Sequence, residues 1–354
     1  MSGPSNSRRN FLKPRTLGKM LTTFTGGEWP QGEITREEEG WLYRLSREAM
    51  ATRFQVLFEV LDADLTSAAE KGLDIIDDLE SQLTVYREGS EVSRINREAF
   101  GQEVVVEKGL FELLQMSRTL WEETGGCFDI AVHQLLKAWG IFKPPWRQPS
   151  RDEVQEALLK SGMDAVLLDA GKQAVRFSRE GVEVNFGAIG KGYALEKAAE
   201  RLLAGGLEHF LFHGGNSSLL ARGASTWENG WLTAVVDPMD WSREMVHLLL
   251  RNRALSTSAL SRECLTKGET AHIIDPRSGY PVQTDLASAS VVCRSATVAE
   301  GLSTAFLVMG LDMALEYCQK HPEVGAVFLR RPHQGRPLEI IHTGIPSSSL
   351  EVLV

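Results

Sequence analysis

The run Glu183-Val184-Asn185-Phe186-Gly187-Ala188-Ile189-Gly190-Lys191-Gly192-Tyr193 sets three glycines and a lysine where an extended stretch gives way to a helical pattern. Such a junction can hold an anion. Glycines admit a ligand close to the backbone, the unpaired N–H groups of a first helical turn face it, and Lys191 adds a full positive charge. It is not a P-loop, because the glycine spacing is too short and Gly192, rather than Ser or Thr, follows the lysine. Taken alone, the segment reads equally as a phosphate site and as a tight strand-to-helix turn. Further along, Ala299-Glu300-Gly301-Leu302-Ser303-Thr304 opens another helical pattern, with Glu300 and Thr304 one turn apart on one face. A carboxylate and a hydroxyl so paired are hard oxygen ligands of the kind Mg²⁺ takes, its other positions going to water and substrate phosphate. The plain alternative is a solvated Glu near a helix N-terminus and a core Thr. Finally, Ala271-His272-Ile273-Ile274-Asp275-Pro276-Arg277-Ser278-Gly279 reads as a short strand ending in an Asp-Pro turn. His272 can take a proton from an attacking hydroxyl near neutral pH, or it is simply packed and hydrogen-bonded.

These groups need elements to position them. Residues 54–60 alternate like a strand with one buried face, and apolar residues at helical spacing predict a helix over 65–83. Helices are expected at 109–123, ended by Thr124-Gly125-Gly126, and at 130–139, with Asp129 as N-cap. Pro144-Pro145 marks a surface loop, and a helix follows at 151–161. Short strands at 165–168 and 182–186, a helix at 191–204 and a strand at 209–213 continue the chain. After Gly214-Gly215 come β-like runs at 230–236, 245–250, 254–258, 271–274 and 286–293, then helices at 297–309 and 311–320 and a strand at 325–329. Strands and helices do not alternate regularly, so the fold class is α+β, mixed sheets with packed helices, rather than a parallel α/β layout.

The 354 residues, 43% of them hydrophobic, suffice for a substantial core. A net charge of −9 excludes general electrostatic attraction to nucleic acid or an anionic membrane, so bound phosphate must rely on a local positive site. The four cysteines are scattered, with no CxxC pair, and read as ordinary thiols. No run approaches the length of a membrane span. Arg8-Arg9 followed by Asn10-Phe11-Leu12-Lys13 looks like the start of a twin-arginine export signal, but Pro14, Arg15 and Lys19 interrupt the apolar region such a signal requires. Residues 1–40 are therefore expected to be a basic tail and 41–354 the folded domain, with a candidate subdomain boundary near 143–150. Cytoplasmic location is favoured slightly over export.

Several motifs, in order from about Met50 to Gly310, together resemble the ApbE-like FAD:protein FMN transferase family. They are Met50-Ala51-Thr52, Tyr86 to Asn96, Thr124-Gly125-Gly126-Cys127-Phe128-Asp129, Gly187 to Tyr193, Ser256-Thr257-Ser258, His272 to Gly279 and Glu300 to Thr304. The resemblance implies a groove in which FAD meets Met50, Tyr86, Cys127, Phe128, Asp129, Gly187, Lys191, Tyr193 and Ile274. It implies Mg²⁺ on the Gly190 carbonyl, Glu300 and Thr304, with Lys191 assisting and His272 as base. The implied reaction moves FMN from FAD to a Thr or Ser hydroxyl of an acceptor flavoprotein and releases AMP. Departures fall within the site: Glu300 and Asn216 stand where the family typically has Asp, and Ala259 replaces its usual glycine. Two further readings therefore stand beside transfer: hydrolysis of FAD to FMN and AMP, and FAD binding without catalysis.

Overall fold

The computed structural model describes residues 35–39, 42–141, 147–226, 228–261, 264–265, 271–331 and 338–353. Its strands are β1 (Thr35–Glu39), β2 (Leu42–Ala49), β3 (Thr52–Glu59), β4 (Val104–Val105), β5 (Val166–Asp169), β6 (Ala174–Phe177), β7 (Phe210–Gly214), β8 (Ser218–Arg222), β9 (Trp231–Asp237), β10 (Asp240–Leu250), β11 (Ala254–Ala259), β12 (Leu286–Cys293), β13 (Gly325–Arg330), β14 (Glu339–Thr343) and β15 (Leu350–Val352). The helices are α1 (Thr66–Leu83), α2 (Glu91–Glu98), α3 (Lys108–Glu123), α4 (His133–Ala138), α5 (Arg151–Leu159), α6 (Gly190–Ala204), α7 (Ala296–Met309) and α8 (Leu311–Lys320). A nine-stranded sheet runs β1-β2-β3-β7-β8-β11-β12-β13-β14, antiparallel at every pairing. Two three-stranded sheets, β15-β10-β9 and β4-β6-β5, complete the mixed α+β architecture.

The period-2 geometry of a strand sends alternate side chains to opposite faces. Phe54, Val56 and Phe58 of β3 join the main core with the helices, while Leu57 joins a second core shared with Trp231, Val235, Val246 and Leu248 of the small β15-β10-β9 sheet. Both faces of the central strands are therefore covered, and the expected single buried face of 54–60 is corrected. Pairing also involves strands outside the expected runs. β2 hairpins onto β3, β8 onto β7, and β1, which lies inside the stretch read as tail, pairs with β2.

Other expectations shift for local reasons. Residues 182–186 are extended but unpaired into any sheet, and 271–274 contributes a single bridge, Ile274 to Pro281. α2 goes unpredicted because its face is short and polar; Ser90 caps it, accepting the N–H of Ser93 at 3.0 Å. Asp129 is not the N-cap of α4, whose cap is Val132. Residues 142–146, with Pro144-Pro145 and half of the candidate boundary, lie outside the described residues. Among the described residues no helix is long and apolar enough to cross a membrane.

Candidate active site

The glycine-lysine turn is wound by its own backbone and held from outside. The Asn96 side chain on α2 acts like a strand edge, its Nδ2 donating to the Val184 carbonyl at 3.0 Å and its Oδ1 accepting the Val184 N–H at 2.8 Å. The Asn185 N–H donates to Ile130 O at 2.8 Å, and the Gly190 N–H donates to Phe186 O at 2.7 Å. The chain thus turns sharply into α6 and delivers Lys191 to its first helical turn, where backbone N–H groups have no partner within the helix.

Helix α7 meets that turn at close range. A Cβ built on Gly192 would lie 2.2 Å from Ala296 O, a separation no side chain tolerates, so this glycine is what lets the two helix starts cross. Each helix then holds the start of the other. Glu300 of α7 accepts the Gly192 N–H on Oε2 at 2.5 Å and pairs through Oε1 with the Lys191 ammonium. Glu196 of α6 accepts the Ala296 N–H at 2.7 Å and the Thr297 hydroxyl. Carboxylates placed at positive helix ends are electrostatically favourable, which makes burial of Glu300, at 3% exposure, tolerable.

One turn beyond Glu300, Thr304 Oγ1 lies 3.1 Å from Ser258 Oγ, which is also 2.9 Å from Ser303 Oγ. Ser258 on β11 thus links the Thr304 hydroxyl to Ser303. Gly190 opens the helix whose third residue Glu300 binds, so Lys191 and Glu300 meet where the two helices cross, with Gly190 next to Lys191 in sequence and Thr304 one turn further along α7. The Gly190 carbonyl, the Glu300 carboxylate and the Thr304 hydroxyl are all oxygen donors, which would suit a hard divalent cation. Among the described residues there is no group of three or more His, Cys, Asp or Glu able to hold a metal, so a cation here would rest on one carboxylate plus neutral oxygens.

Around this centre the remaining predicted residues take different positions. Met50 and Ala51 form the two-residue β2-β3 turn with φ of 50° and 56°, a conformation usually left to Asn or Gly, and the Met50 N–H donates to Glu80 at 2.8 Å. Phe128 is buried beside Gly301, next in sequence to Glu300. Cys127 is buried close to Arg277, and burial is the main cause that pushes its thiol pKa up. Asp129 accepts the N–H groups of Ala131 and Met163 at 2.6 and 2.9 Å; burial nonetheless pushes its pKa to about 6. Gly187 is exposed on the turn, its N–H donating to Asn185 Oδ1 at 2.7 Å. Tyr86 is exposed and lines a cavity of about 590 Å³ with Asn96, His133, Lys137 and Glu183.

Two predicted residues face elsewhere. Tyr193 lies about 200° around α6 from Lys191 at 3.6 residues per turn. Its ring sits 5.6 Å from the Lys197 ammonium, with its hydroxyl against Gly109. Ile274 packs with Leu135, Trp139 and Val154 in a separate cluster. His272 is half-buried, and burial holds its imidazole below the usual value, so the neutral, proton-accepting form prevails at neutral pH. The turn after it is rigid: Arg277 clamps Asp275 through two bonds of 2.9 Å, and the Trp139 indole donates to Gly279 O at 2.8 Å. Ser258, Asn96, Asn185 and His133 escaped the list of candidate site residues, since each matters through a partner distant in sequence.

Fold and site define a mixed α+β protein in which Lys191, at the start of one helix, pairs with Glu300 of another, with the Thr304 hydroxyl one turn beyond. Residues 50–328 match the ApbE family, and the chain belongs to that family. It is similar to the FAD:protein FMN transferase of Haemophilus influenzae, 27% identical over 80% of this chain and 86% of that one, and to that of Treponema pallidum, 28% identical over 75% and 78%. Among solved structures, the ApbE protein of Thermotoga maritima superposes with a TM-score of 0.75 at 27% identity, covering 84% of this chain and 96% of that one. The flavin transferase ApbE of Vibrio cholerae, at 20% identity and a TM-score of 0.74 over 88% and 98% of the two chains, shares the fold.

Proposed function

We propose that this protein transfers the FMN moiety of FAD to a Thr or Ser hydroxyl of an acceptor flavoprotein, releasing AMP, with Mg²⁺ bound by Glu300, Thr304 and the Gly190 carbonyl. The observation that carries this reading is the pairing of Lys191 with Glu300 where the two helices cross, with the Thr304 hydroxyl one turn along from Glu300, in a chain whose relatives bear that activity in their names. Mg²⁺, when bound, supplies neutralisation of the charge on the FAD pyrophosphate. Lys191, at the start of α6, orients the pyrophosphate and favours charge on the departing AMP phosphate. His272 takes the proton as the acceptor oxygen bonds to the FMN phosphorus and the bond to AMP breaks. Met50, Tyr86, Gly187 and Lys191 line the FAD groove, with Cys127, Phe128 and Asp129 forming its floor.

The test is AMP release from FAD by the purified protein, with Mg²⁺ or a chelator, with and without an acceptor domain. Metal-dependent AMP with acid-stable flavin on the acceptor is the expected result. Equal AMP with no acceptor, leaving free FMN, would instead mark a pyrophosphatase. FAD binding without AMP in any condition would leave a flavin-binding protein and overturn the catalytic reading.

A further inference from the structure

Under the glycine turn lies a histidine that the proposed chemistry leaves unused. His133 begins α4, is 5% exposed, and has its Nδ1 3.1 Å from Asn185 Nδ2. The other end of that amide, Oδ1, accepts the Gly187 N–H at 2.7 Å. With Oδ1 engaged by a donor, the amide must show its NH₂ to the imidazole, so Nδ1 is the accepting nitrogen and the proton sits on Nε2, which lies 3.5 Å from Glu183 Oε2. The alternatives each clash. Flipping the amide would point its NH₂ at the Gly187 N–H, and protonating Nδ1 would point a ring N–H at the amide NH₂.

The groups around the imidazole are Lys137 on its own helix, Glu183 and Asn185 on the extended segment, and Tyr86, Asn96 and Arg97 across the shared cavity. Burial, then Lys137, lower its pKa to about 4 against the opposing pull of Glu183, so it is neutral at ordinary pH.

We propose that His133 is a positioning residue for the flavin nucleotide: by accepting from Asn185 it fixes the amide that holds the Gly187–Lys191 turn in the shape the pyrophosphate meets. This inference rests on the flavin reading above. Without the imidazole the Asn185 amide can turn over, and the Gly187 N–H loses its partner.

The test measures FAD affinity, by calorimetry, for the wild type, His133→Phe, Asn185→Leu, the double variant and His133→Gln, with circular dichroism as a folding control. Nitrogen-15 NMR of the wild-type imidazole runs in parallel. The relay predicts about tenfold weaker binding in each single variant, the size of one lost hydrogen bond, with no further loss in the double. His133→Gln, whose Oε1 can accept from the amide, should stay within about threefold of wild type, and the NMR should show the Nε2–H tautomer. Additive losses, unchanged affinity in both single variants, failure of the Gln rescue or an Nδ1–H tautomer would each overturn the relay while leaving the flavin reading intact. A wild-type protein that does not bind FAD would overturn the flavin reading, and this proposal with it.

Discussion

Glu300 is asked to do more than a metal-binding carboxylate alone would need, since its two oxygens already serve Lys191 and the Gly192 N–H. Its extra methylene relative to Asp spans the gap to the start of α6. Glu300→Gln keeps the shape and an acceptor for Gly192 but removes the charge. It should fold normally, weaken Mn²⁺ binding measured by electron paramagnetic resonance, and lower metal-dependent AMP release at least about hundredfold. Unchanged Mn²⁺ affinity would show that the cation binds elsewhere. His272 gives a second residue-level expectation. Because burial lowers its pKa, the base form survives below the ordinary imidazole value, and activity should fall only as pH drops through that depressed value. A pH-rate profile of His272→Ala should lose this acid limb along with most of the rate; a variant retaining the limb would assign the base to another group.

At the scale of elements, the crossing of α6 and α7 is the device that assembles the site, and its two nearby glycines differ in what they do. Gly192 has no room for a methyl group against the Ala296 carbonyl, whereas a Cβ on Gly190 would meet nothing nearer than Phe186 Cβ at 3.7 Å. Gly192→Ala should therefore cost about 1–3 kcal/mol by forcing the helices apart, and it should pull Lys191 from Glu300. Gly190→Ala should leave thermal stability nearly unchanged. Thermal denaturation of the two variants side by side checks this, and equal midpoints would refute the crossing argument. The reciprocal carboxylate caps, Glu196 on the start of α7 and Glu300 on the start of α6, explain how a site with buried charge stays in register with the fold.

For the whole molecule, buried titratable groups set the acid stability. His133 and His213 each have pKa values lowered to about 4, chiefly by burial, against an ordinary 6.5, so near pH 5 the unfolded chain binds about two more protons through them. Asp129, raised to about 6 from 3.8 by burial, works the other way and binds about one more proton in the folded state. These three groups leave a net uptake of about one proton on unfolding, so stability should rise with pH between about 4 and 6.5 at roughly 1.4 kcal/mol per unit. Denaturant titrations across that range measure the slope. His213→Gln, which removes one titrating imidazole, should flatten it, and an unchanged slope would show that His213 is not buried neutral.

The amino-acid sequence by itself determined the α+β class, nearly every long helix, the strands whose residues are apolar and β-branched, and the motifs that mark the family. These rest on local periodicity and on glycine, lysine and carboxylate spacing, which the chain states within a few residues of itself. Short polar α2, strands β2 and β8, and the unpaired state of 182–186 were not legible, because pairing partners rather than local preference decide them. At the site, Lys191, Glu300 and Thr304 could be named from the sequence, but the meeting of Lys191 with Glu300 depends on a helix crossing set by one glycine more than a hundred residues from Glu300. Tyr193 shares the motif with Lys191 and still faces the other side of α6, since two residues along a helix are about 200° apart. The roles of Ser258, Asn96, Asn185 and His133 belonged wholly to the tertiary structure: each acts through a hydrogen bond to a group that only the folded chain brings within about 3 Å.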